Sequence, residues 1–195
     1  MFISRLINHI FFFFFSLTSH FLSIFLKKNF KAFSLVWWMD KLFIPRDGCY
    51  HVILPGCLAV GGIGSINKLR RKDKIRGVID LSSRRFPNIV SGSVIRPNGL
   101  KTLVIHALDS RRFDIGYWFT RCHEFIDECD DGAVLVHCVE GISRSVTICC
   151  AYIMATRQLT AADALKFVKE KRFCAKPNKG FIRQLIAFED KLFRC

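Results

Sequence analysis

The stretch Ala133-Val134-Leu135-Val136-His137-Cys138-Val139-Glu140-Gly141-Ile142-Ser143-Arg144-Ser145 decides the fold. Its opening is a continuous apolar run of strand length that ends in a histidine, and such runs suit a strand covered on both faces. A loop follows from Cys138 to Arg144, and helical periodicity takes over at Ser143. Strand, loop and helix in this order put a thiol at a helix N-terminus. Unpaired backbone N–H groups and the positive end of the helix dipole converge there, which makes a site for a tetrahedral anion and favours the thiolate form of the cysteine.

Working outward, Gly77-Val78-Ile79-Asp80-Leu81 and Leu103-Val104-Ile105-His106-Ala107 are two more apolar runs of strand length. Residues 48–55 and 58–61 are shorter runs broken by Gly and Pro, expected as edge strands and a turn. Residues 65–75 are polar and expected to be helical. The stretch 86–101 holds two prolines, two glycines and Arg96-Pro97-Asn98-Gly99, and is expected to be a surface loop. Ile115, Trp118, Phe119, Cys122, Phe125 and Ile126 recur at helical spacing, which predicts a helix over 114–129. Further helices are expected over 143–157, over 160–172 with Thr160 as N-cap, and over 179–193. Strands alternating with helices predict an α/β fold, with a central mixed, mostly parallel sheet of about five strands flanked by helices.

The loop chemistry assigns roles by residue type. Cys138 is the expected nucleophile, because a thiolate at a helix N-terminus is reactive at neutral pH. The bland alternative is one more buried cysteine, as the other eight read. Gly141 permits backbone angles that a side chain would obstruct. Arg144 offers a planar fork for two phosphoryl oxygens. Ser145 is placed to donate a hydrogen bond to the departing thiolate. The expected phosphate-binding residues are Val139, Glu140, Gly141, Ile142, Ser143 and Arg144.

The run His137 to Ser145 resembles the His-Cys-x-x-Gly-x-Ser-Arg-Ser signature of dual-specificity protein phosphatases. Ala151-Tyr152-Ile153-Met154 resembles the helix after that loop, and Lys171-Arg172, Pro177-Asn178, Phe181 and Gln184-Leu185 resemble the closing helices. The resemblance covers residues 43–193 and is nearest to the small atypical members. It implies a protein tyrosine phosphatase-like fold and a phosphocysteine intermediate. It also implies an aspartate as general acid and then base; Asp109, 29 residues before Cys138, matches its placement. Asp114 is the rival and suits an N-cap better. Asn178 sits at the position of a family asparagine that supports the catalytic region.

The resemblance implies phosphorylated proteins, kinases among them, as substrates on phosphotyrosine, phosphoserine and phosphothreonine. A membrane-associated lipid-phosphate phosphatase and a non-catalytic phosphoprotein-binding module are the alternatives. Glu140 inside the loop opposes a multiply charged lipid headgroup.

The formal charge of +14 over 195 residues fits anionic substrates. No basic run alternates with aromatics, so nucleic acid is not an expected partner. Neither a metal nor another cofactor is expected, since no Cys/His cluster has zinc-ligand spacing. Nine cysteines without regular spacing favour a reducing compartment, cytoplasmic or nuclear. Residues 1–38 differ from the rest: they hold 10 of the 20 phenylalanines and no acidic residue, and Leu6 begins 21 residues without a formal charge. That is near the ~20 an apolar helix needs to cross a bilayer. A membrane anchor, a targeting peptide and an extension that is not normally translated are the three readings. Retained, the leader brings membrane contact; the catalytic domain is expected over 39–195, with Met39 as an alternative start.

Overall fold

The computed structural model describes residues 49–69, 74–82, 92–95 and 100–194; the Phe-rich leader, Met39 and the Arg96 to Gly99 turn signal lie outside them. Numbered in chain order, six strands form one sheet: β1 (Tyr50–Leu54), β2 (Leu58–Gly61), β6 (Ala133–His137), β3 (Ile75–Asp80), β5 (Lys101–Val104) and β4 (Gly92–Ile95), side by side in that order. The inner pairs β2–β6, β6–β3 and β3–β5 are parallel, and the edge strands β1 and β4 pair antiparallel.

This is the mixed, mostly parallel sheet that the apolar runs imply. Its sixth strand, β4, lies within the stretch expected to be a loop. Four residues, one of them glycine, leave no alternation to read, and pairing with β5 supplies the order instead. The strand over 58–61 also pairs on both sides, with β1 and β6, so only the first run of that hairpin is an edge. Residues expected to be helical from Ser65 form a shorter 3-10 helix, Ile63–Lys68, and Ile75 already belongs to β3.

Four α-helices follow: α1 (Phe119–Asp127), α2 (Arg144–Arg157), α3 (Ala161–Lys171) and α4 (Lys179–Phe193). A 3-10 turn, Gly116–Trp118, opens the first, and Thr160 caps the third by accepting the Asp163 N–H. Helix α2 is buried on every side from Arg144 to Met154, as a helix between the sheet and other helices must be. Its partners are β6, β2 and the three other helices.

The alternation of β6 explains why its apolar run is unbroken. Val134 and Val136 enter the main core with the helices, while Ala133 and Leu135 enter a smaller cluster with Ala59, Ile75 and Val78. Partly buried Ile66 and Leu69 pack against that second cluster.

Registers put Gly61, His137, Asp80 and Val104 level across the four inner strands. The strands are parallel, so their C-terminal ends open on one edge. In open α/β sheets that edge is where ligands bind.

Candidate active site

At the end of β6 the chain turns outward, and its carbonyls are taken one after another by groups behind it. Val139 O accepts the Ile63 N–H at 3.0 Å and Ile142 O accepts the Lys176 N–H at 2.8 Å. Glu140 O and Gly141 O accept Arg172 Nη2 and Nε at 3.1 and 2.6 Å. In a trans peptide the N–H points away from the C=O, and the described chain has no cis peptide. The N–H groups of residues 140–143 therefore point away from these partners, toward the open side of the loop. One of them, the Gly141 N–H, donates to Cys138 Sγ at 3.2 Å.

Gly141 is required twice over. Its φ is +70°, and a Cβ there would meet Gly61 C and O at 2.5 Å and Arg172 Nη2 at 2.7 Å.

Ser145, the second residue of α2, places its Oγ 3.3 Å from Cys138 Sγ. Both residues are sealed from solvent, at 0% and 1% exposed. Arg144 is bonded through Nη1 to Leu81 O at 2.9 Å, just past β3, and to Ala107 O at 3.1 Å, in the loop after β5. Its buried Nε has no hydrogen-bond partner and stands 3.7 Å from Asp109 Oδ2. Two backbone oxygens thus orient one edge of the guanidinium and leave the other for anionic oxygens.

Asp109 lies in the loop that follows β5. Ser143 Oγ and Asn178 Nδ2 each donate to its Oδ1 at 2.8 Å, so the carboxylate is aimed by the catalytic loop and by the start of α4. Asn178 N–H donates to Ser143 Oγ at 3.1 Å, closing a three-residue ring, and Asn178 Oδ1 caps α4 by accepting from Gly180 and Phe181. Asp114, the rival, accepts the Tyr117 N–H at the turn before α1, an N-capping contact, and does not line the cleft above Cys138.

The site has a buried floor. His137 Nε2 stands 3.5 Å from Asp80 Oδ2, and Asp80 Oδ1 accepts from Ser82 N and Oγ at 2.8 and 2.6 Å. Burial works against the Asp80 carboxylate, but the hydrogen bond and charge of His137, with the two hydrogen bonds from Ser82, outweigh it and hold Asp80 at about 2.

Arg172 is the residue that sequence reasoning missed. It is 0% exposed, and its third contact is His51 Nδ1 at 3.0 Å. Burial, and then the Arg172 charge, push His51 below its ordinary range, which keeps the ring neutral and able to accept. An arginine at the end of a helix reads as solvated, and its acceptors here are backbone oxygens that no side-chain pattern announces. Among the described residues no group of three His, Cys, Asp or Glu side chains is placed to hold a metal ion.

Residues 64–191 match the family described as dual specificity phosphatase, catalytic domain. Dual specificity protein phosphatase 1 of Mus musculus is 44% identical over 86 residues, which are 43% of this chain and 23% of that protein. The match thus spans about a quarter of that relative's length. Among solved structures, DUSP15 superposes with a TM-score of 0.62 at 32% identity, covering 72% of this chain and 86% of that one. A human tyrosine phosphatase-like serine/threonine/tyrosine-interacting protein superposes with a TM-score of 0.64 at 34% identity, covering 73% and 96%.

Proposed function

We propose that this chain, which belongs to the dual specificity phosphatase catalytic-domain family, hydrolyses phosphotyrosine and phosphoserine or phosphothreonine in proteins through a phosphocysteine. The observation that carries the reading is the hydrogen bond from Ser143 Oγ to Asp109 Oδ1, in the same loop whose Gly141 N–H donates to Cys138 Sγ. Nucleophile and proton donor then approach one phosphorus from opposite sides.

In the first step Cys138 Sγ attacks phosphorus. The S–P bond forms as the P–O bond to the side chain breaks, and Asp109 gives its proton to the departing oxygen. The loop amides and Arg144 hold the three remaining oxygens, where charge collects in the transition state. In the second step Asp109 takes a proton from water as it attacks phosphorus. The S–P bond breaks, inorganic phosphate leaves, and the thiolate is received by the Ser145 hydroxyl and the Gly141 N–H.

Phosphorylated proteins, kinases among them, are the proposed substrates, and a reducing compartment is the proposed location. The eight cysteines described are all free thiols. No described helix is long and apolar enough to cross a membrane. A binding module without catalysis requires the nucleophile or the acid to be missing, and both are present.

The purified full chain tests the proposal on a small aryl phosphate and on phosphotyrosine and phosphothreonine peptides. Release of inorganic phosphate from all three is expected. Inactivity of the reduced protein on every one of them, with binding to the peptides intact, would favour the binding module.

A further inference from the structure

Arg172 is a buried cation held by neutral groups. Among the described residues it enters no ion pair, and its donors go to two carbonyl oxygens and one imidazole. Buried charges are ordinarily paired, so each of these acceptors matters. Gly141 O and Glu140 O cannot titrate. His51 Nδ1 can.

The bond fixes the form of the ring. A guanidinium has donors only, so the 3.0 Å contact from Arg172 Nη1 requires a lone pair on His51 Nδ1. The imidazole is then neutral, with its proton on Nε2. A second proton would go to Nδ1, the atom that Arg172 faces, and would replace the hydrogen bond with two cations in contact.

His51 is half-buried in β1, opposite Val60 of β2. The next residue of β2, Gly61, is the one the catalytic loop rests on, since a Cβ on Gly141 would meet its C and O at 2.5 Å. Ring and loop are thus seated on one strand, and the Arg172 side chain joins them. Its Nε holds Gly141 O at 2.6 Å, and the N–H of the same Gly141 donates to Cys138 Sγ. The elements chiefly packed on β1 are β2 and α3. Strand β2 carries no ionisable side chain, Asp163, Lys166, Lys169, Glu170 and Lys171 of α3 are exposed, and Glu140 lines the cleft. Arg172, directly after α3, is the charge that acts on the ring, and burial and this charge both oppose protonation.

We infer that His51 is a positioning residue for the catalytic loop and the point at which acid acts on it: the neutral ring seats Arg172 against Gly141 O and Glu140 O, and the protonated ring unseats it. The inference rests on the phosphatase reading above and adds a reversible loss of turnover in acid. Because the folded surroundings oppose the proton, turnover holds through the ordinary histidine value of about 6.5 and falls as pH drops through the lower folded value.

The test follows the full chain on an aryl phosphate from about pH 7.5 to about pH 4.5, beside His51→Gln, whose amide oxygen accepts from Arg172 and does not titrate. The ratio of wild-type to His51→Gln kcat/KM cancels the titrations of substrate, Cys138 and Asp109, which both proteins share. It is expected to fall about threefold or more across that range and to recover on return to neutral pH. His51→Leu, without an acceptor, is expected to lose about threefold to tenfold at every pH, and His51→Gln to restore most of that loss. A flat ratio would overturn the inference, as would a His51→Leu protein as active as His51→Gln. Should His51→Leu fail to fold, ¹⁵N-edited spectra of the wild-type imidazole take its place: a proton on Nε2 is expected at neutral pH, and a proton on Nδ1 would overturn the inference. Absence of turnover at every pH removes the phosphatase reading alone; the affinity for inorganic phosphate, compared between the two proteins over the same range, then tests the Arg172 clamp by itself, and a flat ratio there would overturn it.

Discussion

Cys138 and the pair Cys149 and Cys150 belong to one loop–helix unit and are sealed alike, at 1%, 0% and 0% exposed. Their surroundings are opposite. Burial pushes the Cys149 thiol well up, with Cys150 and Cys122 adding to the effect, and burial alone pushes Cys150 up to about 12. Cys138 Sγ instead receives the Gly141 N–H and faces the Ser145 hydroxyl. Exposure therefore does not separate a reactive thiol from an inert one. Donors do: Cys138 Sγ has two beside it, whereas the thiols of Cys149 and Cys150 lie among apolar groups and stay protonated.

Serine at each position is the severest trial of this contrast. Cys138→Ser is expected to lower kcat on an aryl phosphate by about 10⁴-fold or more, with inorganic phosphate still bound in a calorimetric titration. Cys149→Ser is expected to leave kcat unchanged and to lower stability in urea by about 1–3 kcal/mol, since it buries a hydroxyl among apolar side chains. Similar losses of kcat in the two variants would erase the distinction.

The acid separates in the same way. Asp109→Asn is expected to lower kcat by about 10²–10⁴-fold, while Asp114→Asn keeps the wild-type rate. A loss in Asp114→Asn instead would move the proton donor to the helix start.

Next in size is the support behind the loop. Arg172→Met leaves Glu140 O and Gly141 O without their donors, and kcat/KM is expected to fall by about 10–100-fold through misplacement of the amides, with Cys149 as buried as before. Ser145→Ala sharpens the comparison at the sulfur itself. Hydrolysis of the phosphoenzyme is expected to slow about tenfold, seen as a burst of the first product in stopped flow, because a hydrogen bond to the leaving thiolate is lost.

The smallest effect concerns the floor. Asp80 is held at about 2 against 3.8 for the free group. Its contribution is therefore complete above the unfolded value and lost as pH falls through the folded one. Urea melts of Asp80→Asn are expected to show a deficit of about 2 kcal/mol at pH 7 that closes toward pH 2.

Much of this was legible because the chemistry is local. Cys138, Gly141, Arg144 and Ser145 lie within one turn of loop and helix, so residue type and spacing carry their roles. Asn178 and Asp109 needed the family resemblance, since they meet across 69 residues of sequence. Arg172 was not legible as a clamp, because it recognises main-chain oxygens whose positions exist only after the fold has formed. Strand β4 was hidden for a related reason: its order comes from backbone pairing to β5, with too few residues to leave a pattern.

The central claim is that Cys138 carries the phosphoryl group between the two steps. Rapid acid quench during turnover of a ³²P-labelled phosphotyrosine peptide, followed by mapping of the labelled fragment, measures it directly. Label on the peptide containing Cys138, absent in Cys138→Ser, is the expected result; turnover without any labelled enzyme, or label on the segment holding Cys149 and Cys150, would contradict it.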